Sequence, residues 1–234
     1  MFDRLLRPLK DRVLAPVAKL LGSILHPNVI SLLSLLPGVA AGIAAAYGSY
    51  PLALALWVLN RFIDGLDGAV ARHAGLSSDF GGYLDIMIDL LVYAVLPIGL
   101  ACGLTGFVVP GTDVAAADAT AVLALPFGIV PGNEGIWLVT AILLAAFYVN
   151  LGSWMYLSAL LEKRRAGASV RGEQTSVTMP DGLVGGFETI VLFALMLGLP
   201  SLYVYLAALM ACATLISAAG RLLWGRRHLA ADNT

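Results

Sequence analysis

Charge is scarce in this sequence. Of 234 residues only 12% are Asp, Glu, Lys or Arg, against about 25% in an ordinary soluble domain, while 59% are hydrophobic and the mean hydropathy is +0.88. That balance argues against a soluble globular enzyme. Fourteen basic and fifteen acidic residues leave a net charge of -1, so no global basic field exists to hold nucleic acid, and no nucleic-acid partner is expected. Cysteine is almost missing: Cys102 and Cys212 both lie in apolar stretches, which excludes a disulfide framework or a cysteine-rich zinc site. The start, Met1-Phe2-Asp3-Arg4, lacks the basic end, short apolar run and small-residue cleavage site of a signal peptide, and no cleaved signal is expected.

Long apolar runs are what the sequence has in quantity. A spanning helix needs about 20 mostly apolar residues. Six stretches meet this, near 28–47, 51–71, 82–103, 136–161, 183–199 and 201–223, with Pro51 and Pro200 marking tight turns between neighbours. The reading is an all-α integral membrane bundle of six transmembrane helices. Residues 1–25 interleave Arg4, Arg7, Lys10, Arg12 and Lys19 with Leu5, Leu6, Leu9, Val13, Leu14, Val17 and Leu20 at helical spacing, which predicts an amphipathic interfacial helix before the bundle. The bundle itself is expected over 26–225, with a tail at 226–234.

Charge also predicts orientation. All fourteen basic residues fall on one side of a six-span arrangement, the last of them being Lys163, Arg164, Arg165, Arg171, Arg221, Arg226 and Arg227. The opposite side holds short turns and the stretch 104–135, which carries Asp113, Asp118 and Glu134 and no basic residue. Because basic loops stay in the cytoplasm, both termini are expected there, with 104–135 outside; its apolar run at 119–131 is broken by Pro126 and Pro131, is too short to span, and reads as external loop or re-entrant piece.

Against this apolar background four aspartates stand out. The sequence runs Asn60-Arg61-Phe62-Ile63-Asp64-Gly65-Leu66-Asp67-Gly68-Ala69-Val70-Ala71-Arg72, then Gly81-Gly82-Tyr83-Leu84-Asp85-Ile86-Met87-Ile88-Asp89. A charge at mid-bilayer costs about 2.5–3.5 kcal/mol on insertion scales, so four need hydration, pairing or a metal. Asp64 and Asp67 are spaced i, i+3 and Asp85 and Asp89 i, i+4, so each pair projects from one face of its helix. Facing pairs make a cup of hard oxygen ligands suited to Mg2+ or Mn2+, with room for two ions. Gly65, Gly68, Gly81 and Gly82 permit close approach of a bulky phosphate ligand, and Arg72 offers a fork for its oxygens. Two other readings stay open on spacing alone: carboxylates paired with Arg61 and Arg72 to orient the helices, and an ion or proton pathway of a transporter. The second lacks the internal repeat common in carriers, because the Asp-rich segment has no counterpart in the second half.

These residues fit D-x-x-D-G-x-x-A-R-x8-G-x3-D-x3-D without a departure, at Asp64, Asp67, Gly68, Ala71, Arg72, Gly81, Asp85 and Asp89. The pattern resembles the signature of the CDP-alcohol phosphotransferase family, membrane enzymes of phospholipid synthesis. His26-Pro27-Asn28-Val29-Ile30-Ser31 also resembles the Pro-Asn-x-x-Ser/Thr start of that family's first span. The resemblance implies transfer of a phosphatidyl group from CDP-diacylglycerol to an alcohol acceptor with release of CMP, or transfer from a small CDP-alcohol to diacylglycerol. It further implies two Mg2+ or Mn2+ ions on Asp64, Asp67, Asp85 and Asp89, and Asp89 as general base. Gly68, Ala71, Arg72, Ser78 and Gly81, with Asn28, Val29, Ile30 and Ser31, would line the CDP-alcohol site, although a helix cap explains Ser78 and the Asn28–Ser31 stretch equally well. A homodimer among membrane lipids is implied as well.

Acceptor choice is less legible. Lys163, Arg164 and Arg171 could grip an acceptor phosphate, or simply flank a span as positive-inside residues. Glu188, in Gly185-Gly186-Phe187-Glu188-Thr189, needs a partner inside an apolar helix and could face a cavity or bond a neighbouring helix. That stretch, with Asn60-Arg61 and Gly81-Gly82-Tyr83-Leu84-Asp85, looks more like an uncharacterised bacterial inner-membrane branch than the branches making phosphatidylserine, phosphatidylglycerophosphate or phosphatidylinositol phosphate. His26, His73 and His228 read as interfacial polar residues.

Overall fold

A computed structural model of the chain describes residues 14–21, 24–108, 132–164 and 184–229. Every regular element among them is helical: α1 (14–21), α2 (Pro27–Ala46), α3 (Tyr50–Ala74), α4 (Asp79–Leu104), α5 (Asn133–Lys163), α6 (Gly186–Gly198), a 3-10 turn at Pro200–Leu202, and α7 (Tyr203–Leu229). Four helical segments are long and apolar enough to cross a membrane: α2, α4, α5 and the turn with α7. α3 has the length but carries Arg61, Asp64, Asp67 and Arg72. α6, with 13 residues, extends only about 20 Å, short of a hydrocarbon core of about 30 Å. Many large apolar side chains face outward, among them Leu36, Ile43, Tyr148 and Leu222, a surface that water would penalise and lipid does not. Predicted residues 1–13 of the interfacial helix and the core of the external loop lie outside the described residues.

The chain makes its turns with local chemistry. α2 begins at Pro27, whose missing N–H costs nothing in a first turn, while His26 Nδ1 accepts the Asn28 N–H at 3.3 Å. His26 is therefore a helix cap. α3 stops at Gly75, which adopts φ +66 and donates its N–H to the Ala71 carbonyl; a left-handed residue there ends the helix at little cost when it is glycine. Ser78 then caps α4, its Oγ accepting the Gly81 N–H at 3.1 Å. Only Gly75–Ser78 separate the two helices, so the acidic segment of α3 turns straight back into that of α4.

Two packing units follow. α2 lies against both α3 and α4, α5 runs along α7, and α3 and α4 hardly approach each other by backbone. Small residues bring α2 and α4 together. A Cβ at Gly99 would strike the Gly42 carbonyl, one at Gly103 the Ala45 carbonyl, and one at Gly42 the Val95 side chain. Without a hydrophobic drive between helices in lipid, such close backbone contact is how they adhere. The units join through a buried core including Trp57, Leu96, Leu100, Leu143, Phe193, Met196 and Tyr203. Inside it Tyr203 Oη lies 2.7 Å from Thr140 Oγ1 and donates to the Pro97 carbonyl at 3.3 Å, tying α7 to α5 and α4. A smaller cluster seats Leu14 and Ala18 of α1 on Ile30, Leu66, Ala69 and Val70.

Most boundaries differ from the apolar scan for one reason: helices continue past the residues lipid would tolerate. α3 runs to Ala74 and α5 to Lys163. α7 runs to Leu229, so the first residues of the expected tail are helical. Arg226, Arg227 and His228 sit in its last turn, where cations complement the helix dipole, and His228 stacks on Trp224 at 4.1 Å.

Candidate active site

The α3–α4 turn brings the signature residues to one end of the bundle. Asp67 is buried, Asp64, Asp85 and Asp89 are half-buried, and Arg72 and Ser78 are exposed. Ser31 of α2 donates its Oγ–H to Asp67 Oδ2, and Asp67 Oδ1 takes the Gly68 N–H. Thus the Pro-Asn-x-x-Ser segment and the acidic segment of α3 meet through a specific bond. Gly81 abuts the same segment, because a Cβ placed there would lie 3.2 Å from both Asn28 Oδ1 and Ser78 Oγ. A Cβ at Gly68 would lie 3.2 Å from Arg72 Nη1, so the arginine folds back over that glycine. Ile30 is buried beside α1, Val29 is exposed and Ala71 is half-buried.

Across the α3–α4 gap the link is Arg61. Its Nη1 donates to Asp89 Oδ1 at 2.8 Å and lies 3.7 Å from Asp64 Oδ2, so one nitrogen reaches a carboxylate on each helix. Nε donates to Asn60 Oδ1 at 2.7 Å, and Nη1 also reaches Tyr93 Oη at 3.2 Å. The guanidinium sits 4.7 Å from the Trp57 ring centre and 5.4 Å from that of Tyr93. Beneath it Trp57, Tyr93, Phe147 and Phe193 form an aromatic cluster with neighbouring centroids 5.5–6.4 Å apart. Two carboxylates and two rings compensate a cation that would otherwise cost about 2.5–3.5 kcal/mol in hydrocarbon.

Sequence reasoning alone undervalues this residue. Trp57, Arg61 and Asp64 fall at i, i+4 and i+7 on α3, as Asp85, Asp89 and Tyr93 do at i, i+4 and i+8 on α4. Those two stripes carry the signal. The pairing of carboxylates with Arg61 and their service as ligands are therefore compatible: Arg61 engages Asp64 and Asp89 within the same constellation. Among the described residues no three acidic, His or Cys side chains are gathered closely enough to grip an ion as they stand. The donor set nonetheless fits a hard divalent cation in kind: only carboxylates, on two facing helices, in a half-buried setting.

The acceptor candidates divide. Arg171 lies outside the described residues. Arg164 donates from Nη2 to the Leu229 carbonyl at 3.0 Å, capping the end of α7, and Lys163 is exposed. Glu188 has a local partner at the start of α6: its Oε2 accepts the Gly185 N–H at 3.0 Å, the glutamate half of a capping box whose other half a glycine N-cap cannot supply. Arg221, not singled out by sequence, is buried and donates to Asn150 Oδ1 at 2.6 Å and Ser153 Oγ at 3.2 Å, bolting α7 to α5.

Fold and site define a helical membrane protein whose two acidic helices are bridged by an arginine at one end. The chain belongs to the CDP-alcohol phosphatidyltransferase family, whose sequence profile matches residues 24–219. It is 41% identical over 100 residues to the inner membrane protein YnjF of Escherichia coli K12, covering 42% of this chain and 48% of that one. It is 37% identical over 97 residues to the archaetidylinositol phosphate synthase of Methanothermobacter thermautotrophicus, covering 42% and 49%. The matches thus span about half the length of these curated relatives. The fold is shared with the phosphatidylinositol phosphate synthase PgsA1 of Mycobacterium tuberculosis: TM-score 0.63 at 21% identity, over 91% of this chain and 92% of that one, for the structure with CDP-DAG bound. The PgsA1 complex with manganese and citrate gives 0.63 at 20% identity, over 90% and 87%.

Proposed function

We propose that this protein transfers a phosphatidyl group from CDP-diacylglycerol to an alcohol acceptor and releases CMP. The observation that carries the reading is the convergence of Asp64 of α3 and Asp89 of α4 on one nitrogen of Arg61, with Asp67 of α3 bonded to Ser31 of α2. Asp64, Asp67, Asp85 and Asp89 would hold two divalent ions, Mg2+ or Mn2+, and PgsA1 bound to manganese supports that choice of metal. Such ions supply positive charge for the donor's pyrophosphate. Asp89 takes the proton of the acceptor hydroxyl as the new oxygen–phosphorus bond forms and the bond to CMP breaks. Gly68 and Gly81 leave room for the phosphates, Arg72 forks onto their oxygens, and Asn28, Val29, Ile30, Ser31, Ala71 and Ser78 complete the nucleotide side.

In this reading the chain spans the membrane six times, α3 and the longer stretch 183–199 around α6 included, with both termini and the site cytoplasmic, 1–25 on the surface, 26–225 as the transferase domain, and 104–135 outside. The acyl chains of the donor stay in lipid while its cytidine head reaches the helix ends, and the protein works as a homodimer. Lys163, Arg164 and Arg171 are the acceptor-side candidates. Names of the relatives point to an inositol phosphate, which heads the acceptor panel. The test is CMP release by purified protein from CDP-diacylglycerol with Mg2+ or Mn2+, against inositol phosphate, glycerol 3-phosphate, serine, inositol and phosphatidylglycerol. Release with one acceptor supports the reading and names the product. Silence in protein that binds CDP-diacylglycerol redirects it to a small CDP-alcohol donor or an acceptor outside the panel, and silence without binding overturns it.

A further inference from the structure

We propose that Arg61 is a positioning residue: a caged cation that spans the α3–α4 gap, fixes Asp89 in place as proton acceptor, and opposes the entry of divalent ions. The inference rests on the transferase reading for the role of Asp89, but not for the effect of Arg61 on metal affinity.

Three observations carry it. First, α3 and α4 hardly meet by backbone, yet the Arg61 nitrogen is bonded to Asp89 at 2.8 Å and lies beside Asp64 at 3.7 Å, so a side chain bridges the acidic faces. Second, this side chain cannot easily follow a moving carboxylate. It is 7% exposed, lies against Trp57 and Tyr93, and is bonded through Nε to Asn60. Asn60 is itself fully buried and donates from Nδ2 to the Ser34 carbonyl of α2 at 2.8 Å, while Trp57 donates from Nε1 to the Ile190 carbonyl of α6 at 3.2 Å. The cage thus references Asp89 to α2, α3 and α6 together. Third, the guanidinium draws on two of the four carboxylates proposed as metal ligands. Cations entering there share those oxygens with a fixed positive charge.

The consequences have opposite signs, which separates this role from a merely structural one. Removing the charge should tighten metal binding, because a repelling cation is gone, and should slow turnover, because Asp89 loses its anchor. A side chain needed only for folding would weaken both.

The test uses full-length protein in detergent, with Mn2+ alone titrated by electron paramagnetic resonance of the free ion, and CMP release measured separately. Arg61→Met should bind Mn2+ about tenfold more tightly and lose about 10–100-fold in kcat, with KM for CDP-diacylglycerol within about threefold of wild type. Arg61→Lys keeps the charge but not the planar fork, so its Mn2+ affinity should stay within about threefold while kcat still falls about tenfold. Unchanged or weaker Mn2+ binding in Arg61→Met overturns the proposal, as does wild-type kcat in Arg61→Lys, the variant that decides if the methionine protein fails to fold. Wild-type protein that neither binds CDP-diacylglycerol nor releases CMP overturns the transferase reading instead, and leaves the metal titration standing as a test of the effect of Arg61 on metal affinity.

Discussion

Gly99→Ala should loosen the whole acidic site although it lies ten residues, about 15 Å, from Asp89 along α4. A methyl group there meets the carbonyl of Gly42, a backbone atom that cannot rotate away. Ordinary contact requires α2 and α4 to part locally by about 1 Å. Overpacking of this kind costs about 1–3 kcal/mol, which for a chain of this size lowers the unfolding midpoint by about 2–12 °C. The displacement also reaches chemistry, because α2 carries Asn28 and Ser31 while α4 carries Asp85 and Asp89. A misplacement near 1 Å can remove up to about 100-fold in rate. The assay is thermal unfolding in detergent at one scan rate, paired with CMP release. Gly152→Ala is the control, since a Cβ there meets nothing within 4 Å. If both variants unfold at the same temperature and turn over alike, close α2–α4 packing does not hold the site.

Other expectations follow from single contacts. Ser31→Ala removes the hydroxyl that orients buried Asp67, and should weaken Mn2+ binding about tenfold; unchanged binding would mean Asp67 needs no help from α2. Glu188→Ala removes the side chain that accepts the Gly185 N–H at the start of α6 and should cost about 0.5–2 kcal/mol of stability with kcat unchanged, so a loss of turnover in folded protein would return Glu188 to a cavity role. Arg171→Ala should raise the KM for the acceptor and not for the donor, and an unchanged acceptor KM would make it a positive-inside flank.

What sequence could reveal here was set by chemistry that is costly in lipid. Four aspartates among apolar residues have few tolerable explanations, so the acidic segment was legible from spacing, and so were the helices, whose apolar runs exceed what loops need. Helix ends were blurred, because hydropathy stops at the first charges while hydrogen bonding in α5 and α7 continues through Lys163 and Arg226. Packing was hidden for a different reason. Gly42, Gly99 and Gly103 gain their meaning only when two helices cross at those residues, and nothing in either run names its partner. Arg61 fell between these cases. Its spacing to Trp57 and Asp64 was visible, but its bond to Asp89 depends on the Gly75–Ser78 turn, which sets α4 opposite α3.

The most direct test of the central claim is Asp89→Asn, which changes one oxygen to nitrogen and removes the proton acceptor while nearly preserving shape. Purified variant should retain its unfolding profile and bind CDP-diacylglycerol with wild-type affinity, yet release no CMP above background with the acceptor that wild type uses. Turnover close to wild type would contradict the account, because α4 would then present Asp89 as a structural partner of Arg61 and nothing more.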